Sequence, residues 1–182
     1  MQLYRRGIPR QWRWTFEPEV RYGAIGYTSY AISVADLNGD GNPDLIVAHT
    51  CYAGGGGDCA RGDGSVGVML GNGDGTFQGE VDYPSGGDSP ESVVVADMNG
   101  GGSPDVIVAN LKTDRVAVLI GRGDGTLGAA MSYPGGGQDY ATSVAVSDVN
   151  GDGRPDVVVA NGCAEKGCAN GSVGVLLNTG RW

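Results

Sequence analysis

The stretch "SVADLNGDGNPDLIVA" (33–48) sets an acidic, glycine-punctuated turn directly against an apolar run too short for a helix. Oxygen-bearing side chains stand at positions 1, 3, 5 and 9 of the turn: Asp36, Asn38, Asp40 and Asp44. Carboxylates this close repel one another unless a cation or a set of donors neutralises them. Gly41 at position 6 can take the sharp turn, and Asn42 at position 7 can bring in a backbone carbonyl. An all-oxygen set around a tight turn suits calcium better than magnesium, which demands stricter geometry and keeps more water. With no histidine or cysteine in the loop, zinc is disfavoured. An EF-hand starts in the same way, but it needs a carboxylate at position 12 and flanking helices. Position 12 here is Val47, inside a β-type run.

The phrase recurs as "VVADMNGGGSPDVIVA" (94–109) and "AVSDVNGDGRPDVVVA" (145–160), with Val108 and Val159 at position 12. The first aspartates, Asp36, Asp97 and Asp148, are 61 and 51 residues apart. Behind each copy comes a valine-rich segment (65–70, 115–120 and 172–177). The first two continue through "GNGDGTF" (71–77) and "GRGDGTL" (121–127) to tyrosine-bearing segments, "EVDYPSGG" (80–87) and "AMSYPGGG" (130–137). The third stops at "NTGRW" (178–182), and "TFEPEVRYGAIG" (15–26) parallels "TFQGEVDYPSGG" (76–87). A strand over 15–22 is therefore expected to complete the third unit.

Each unit reads as four short strands bounded by glycine and asparagine clusters, with Asp-Gly hairpin turns. No window carries a sustained helical period. The expected fold is all-β: β-propeller blades in three four-stranded antiparallel units, a partial propeller or fragment. Unit 1 covers about 31–87, unit 2 about 91–137 and unit 3 about 141–178, after an atypical segment over 1–14. An inner strand that is apolar at every position fits a blade packed on both faces. Propellers usually have four to eight blades. Three units therefore imply either further blades in a longer chain or self-association, two chains giving six.

The pattern D-x-N-x-D-G-x-P-D, followed by an apolar run and alanine, resembles the FG-GAP/VCBS repeats. These are propeller blades of integrin alpha subunits and of many secreted bacterial proteins. The resemblance covers about 15–178. It implies a calcium ion in the hairpin between the first two strands of a blade. The ligands it implies are Asp36, Asn38, Asp40, the Asn42 carbonyl and Asp44. In the third unit they are Asp148, Asn150, Asp152, the Arg154 carbonyl and Asp156. The second unit keeps Asp97, Asn99 and Asp105, with Ser103 at position 7, but Gly101 replaces the acid at position 5. A weak or empty site is expected there, and about two tight calcium ions per chain.

The formal net charge of -9 argues against nucleic acid or an anionic membrane as partner. No apolar run is long enough to span a bilayer, and "MQLYRRGIPRQWRWTF" (1–16) lacks the apolar core of a signal peptide. Cys51 and Cys163 each stand three residues after the alanine that ends the apolar run, and the second unit has no cysteine there. Of the three possible connectivities, this shared placement favours Cys51–Cys59 and Cys163–Cys168. Such bridges imply an oxidising compartment: extracellular, periplasmic or cell-surface.

The tripeptide "RGD" at 122–124 is ascribed to chance in a glycine- and aspartate-rich chain, while the copy at 61–63 lies near a lengthened loop and is the more interesting of the two without being taken as a binding motif. His49, the sole histidine, is read as a structural residue at a strand end. Trp12, Trp14 and Trp182 are read as covers for sheet edges rather than sugar platforms. No nucleophile has a recognisable general base. The expected function is a non-enzymatic calcium-binding module of a secreted or cell-surface protein, serving adhesion or ligand binding of protein or carbohydrate. The alternatives are a lectin-like propeller and an accessory region of a secreted hydrolase or lyase.

Overall fold

A computed structural model describes residues 16–23, 28–50, 63–136, 140–162 and 170–180. The described residues form eleven strands and no helix. The first sheet comprises β1 (Thr28–Ala35), β2 (Asp44–Thr50), β3 (Asp63–Met69) and β4 (Val81–Asp88). The second comprises β5 (Pro90–Ala96), β6 (Asp105–Asn110), β7 (Arg115–Leu119) and β8 (Met131–Pro134). The third comprises β9 (Tyr140–Ser147), β10 (Asp156–Gly162) and β11 (Ser172–Leu176). In every sheet, consecutive strands pair antiparallel in chain order, as blades of a propeller do.

The apolar inner strands follow from stacking. Sheet 2 lies between the other two, so both of its faces are buried. Val106, Val108, Ala117 and Leu119 pack with Ile46, Ala48, Val66 and Val68 of sheet 1. Ile107, Ala109, Val116 and Val118 pack with Ala141, Val144, Val157 and Val159 of sheet 3. Successive residues of a strand point to opposite faces, so β6 is apolar at every step from Val106 to Ala109 and is buried throughout, with Asp105 and Asn110 as its polar ends. Each fully buried aliphatic side chain contributes about 1.5–3 kcal/mol.

Each sheet thus has a leading face, turned toward the preceding sheet, and a trailing face, turned toward the next. Two faces have no described sheet packed on them, although Tyr22 lines the leading face of sheet 1 beside Val47, His49 and Met69. On the leading face of sheet 1, Ile32 is 60 % and Val34 58 % exposed. On the trailing face of sheet 3, Val173 is 69 % and Val175 52 % exposed.

The third sheet has three strands, one fewer than expected, and residues 16–23 carry no strand. Instead, the Tyr22 ring meets the edge of Phe77 in the first unit, with centroids 5.5 Å apart. The reason is reach. Four residues separate Gly23 from Thr28, which opens β1, and the five steps between them span at most about 18 Å. Sheet 3 lies two sheet spacings away, roughly 20 Å. Only a closed ring would bring the outer edge of sheet 3 beside the start of the chain.

Candidate metal loops

The three acidic phrases each join the first two strands of a sheet, and all three fold alike. Glycines at positions 4 and 6 take positive φ: Gly39 and Gly41 (72° and 85°), Gly100 and Gly102 (73° and 81°), Gly151 and Gly153 (79° and 84°). This turns the loop amides inward onto the first carboxylate. Asp36 Oδ1 accepts from the amides of Gly39 (2.8 Å) and Asp40 (3.1 Å), and its Oδ2 from Gly41 (2.8 Å). Asp148 is held in the same way by Gly151, Asp152 and Gly153. In the second loop Asp97 accepts from Gly101 and Gly102.

The position-9 aspartates do something else. Asp44 is fully buried, and it accepts from the Leu37 amide on Oδ2 and the Gly71 amide on Oδ1, both at 2.8 Å. Asp105 takes Met98 and Gly121, both at 2.9 Å. Asp156 takes Val149 at 3.1 Å and Asn178 at 2.8 Å. Each carboxylate therefore ties its own loop to the chain leaving the third strand of its sheet. For Asp105, burial pushes the carboxyl above its ordinary range, against the pull of the Gly121 and Met98 amides.

Position 5 distinguishes the loops. Asp40 Oδ1 accepts the Asn42 amide (2.8 Å), and its Oδ2 faces Asn38 Nδ2 (2.9 Å). The Asn42 amide, then Asn38, hold this exposed carboxyl below its usual range. Asp152 is lowered mainly by the Arg154 amide. It also carries a partner the first loop lacks, the Arg154 guanidinium at 3.0 Å. In the second loop Gly101 stands here, and its amide reaches both Asp97 Oδ1 and Asn99 Oδ1.

The donor set of the first and third loops is oxygen throughout, which fits calcium. Asp36, Asn38, Asp40 and the Asn42 backbone would hold it in the first loop. Asp148, Asn150, Asp152 and the Arg154 backbone would hold it in the third. Asp44 and Asp156 sit at the base of their loops with both oxygens already on backbone amides. Much of the repulsion is thus relieved by the turn's own N–H groups. The one group of three His, Asp or Glu ligand atoms gathered within 4.8 Å among the described residues is elsewhere: His49, Glu80 and Asp82. The four cysteines, the three tryptophans, Arg61 and Gly62 lie outside the described residues. Arg122, Gly123 and Asp124 form part of the second hairpin turn, where Thr126 caps Asp124.

No curated protein matches the chain. The FG-GAP-like repeat family matches it twice, over residues 58–108 and 97–159, which together span more than half its length. The matched residues include the second and third acidic loops, and all three loops share one fold. The chain belongs to the FG-GAP-like repeat family.

Proposed function

We propose that the chain is a non-enzymatic, calcium-binding propeller module, working outside the cytoplasm in adhesion or ligand binding. The observation that carries the calcium reading is the second loop. It keeps the positive-φ glycine pair, the amide contacts to position 1 and the buried position-9 clamp, all without an acid at position 5. The turn therefore does not require Asp40 or Asp152. Acids that folding does not need, repeated at one position in two loops and left exposed beside asparagine oxygens, suit a bound hard cation. The extracellular setting rests on the paired placement of the cysteines and on the repeat family. The partner is a protein or carbohydrate.

The test is calcium titration by calorimetry together with thermal melts in chelator. Two tight ions per chain are expected. At a calcium concentration of about 100 Kd, each site adds roughly 2.7 kcal/mol. Asp40→Asn with Asp152→Asn removes the response. A melting curve unchanged between calcium and chelator overturns the proposal.

A further inference from the structure

At corresponding positions, the leading faces of sheets 2 and 3 receive the Tyr-Pro-Gly segment of the sheet before. Asn110 is buried in β6 and grips Ser85 twice: Ser85 Oγ donates to Asn110 Oδ1 (2.8 Å), and Asn110 Nδ2 donates to the Ser85 carbonyl (3.1 Å). Ser132 Oγ donates to the Gly86 carbonyl at 2.7 Å. Gly86 lies so close that a Cβ on it would meet Ser132, Ala130 and Ala117. In sheet 3, Asn161 Nδ2 donates to the Gly135 carbonyl at 3.1 Å.

Sheet 1 carries different side chains at these positions. The strand registers align His49 with Asn110, Gly67 with Ala117, and Asp82 with Ser132; Glu80, just before β4, takes the place of Ala130. His49 is fully buried, with Nε2 at 2.5 Å from Glu80 Oε1 and Nδ1 at 3.1 Å from Ser29 Oγ. The ligand atoms of His49, Glu80 and Asp82 lie within 4.8 Å of one another. Gly67 makes the space, since a Cβ there would collide with Glu80 Oε1 and lie 2.7 Å from His49 Nε2. Among the described residues, neither Glu80 nor Asp82 is paired with a lysine or arginine.

We propose that His49, Glu80 and Asp82 form a transition-metal site, of the zinc class, on the leading face of sheet 1. One imidazole and two carboxylates are a donor set for zinc-like dications. Calcium, which takes oxygen ligands, is not the ion that a buried imidazole selects. Ligand atoms sharing a tetrahedral ion at about 2.1 Å stand about 3.4 Å apart. At 2.5 Å, Glu80 Oε1 stands closer to Nε2 than this, so entry of the ion requires it to move outward. Ser29 Oγ fixes the ring from its other nitrogen, as an outer partner does for a metal-bound imidazole. The site is distinct from the acidic loops in place, donor type and ion.

The test is Co2+ binding to the full chain in excess calcium, which saturates the acidic loops. It is followed by optical absorption and by competition with Zn2+. One Co2+ per chain is expected, with the ligand-field bands of nitrogen and oxygen ligands and no sulfur-to-cobalt charge transfer. His49→Asn, which installs the residue of the second unit, and the exposed Asp82→Asn should each weaken binding by at least about tenfold. That is the smaller loss seen when even an outer partner of a metal ligand is removed. Circular dichroism confirms that both variants fold. Absence of Co2+ binding, thiolate charge-transfer bands alone, or unchanged affinity in a folded His49→Asn overturns the proposal.

Discussion

The Gly71 amide donates to Asp44 Oδ1 at 2.8 Å across 27 residues of sequence, while the Leu37 amide occupies the other oxygen of the same carboxylate. The same pair of bonds recurs at Asp105 and Asp156. The last acid of each loop is thus a fastening of the sheet in its own right. Asp44→Ala strands two buried donors, and a loss of roughly 2–5 kcal/mol is expected. Urea unfolding in chelator should show the full loss, because it does not depend on calcium.

The third loop carries its own competing cation. The Arg154 guanidinium sits on Asp152 Oδ2 at 3.0 Å and also reaches the Asn178 carbonyl at 3.1 Å. Calcium must displace it, so the third loop should bind more weakly than the first. Arg154→Asn, which restores the residue of the first loop, should tighten that site by up to about fivefold, the range of an exposed ion pair. Calorimetry on a background of Asp40→Asn reads the third loop alone.

Asn110 bolts sheet 2 to sheet 1 through Ser85. Asn110→Ala leaves the buried Ser85 carbonyl without that donor, at an expected cost of about 1–3 kcal/mol. Hydrogen exchange should show β4 and the following turn opening more readily than β6 and β7.

Acid should weaken the calcium-free protein by a route that can be assigned. Asp74 and Asp124 are held below the ordinary value of 3.8 chiefly by the hydroxyls of Thr76 and Thr126. Asp40 and Asp152 are lowered chiefly by loop amides. Groups whose folded pKa is lowered contribute stability above 3.8 and lose it as pH falls through their folded values. Asp105, raised by burial, acts oppositely: its contribution is full below 3.8 and is lost as pH rises through its folded value. Thr76→Val with Thr126→Val should therefore flatten the acid limb of a stability-versus-pH curve measured in chelator.

The repeats made most of the fold legible. A turn flanked by β-branched runs at recurring spacing leaves few arrangements besides stacked hairpin sheets, and Gly41 takes the left-handed turn its position predicts. Residues 16–23 carry no strand, because sequence likeness to 76–87 specifies a type of segment, not which sheet it can reach. The acidic loops were legible because nine consecutive residues carry them. The second role of Asp44 was not, since its partner Gly71 comes from a different hairpin. The cluster at His49 was hidden further still. His49 and Glu80 stand 31 residues apart, and only strand register places both over Gly67. Aligning the first two units at these positions flags the exchange of Asn110, Ala130 and Ser132 for three metal-binding side chains.

The leading and trailing faces of each sheet are unlike one another, and this gives the stack a direction. Ile32 and Val34 stand exposed at one end, Val173 and Val175 at the other. Copies that meet by repeating the internal contact must therefore join head to tail, never through the same patch on both partners. Such contacts generate a ring if the rotation per sheet closes, and an open filament if it does not. The angle between neighbouring sheets, rather than the stickiness of either end, decides whether growth stops.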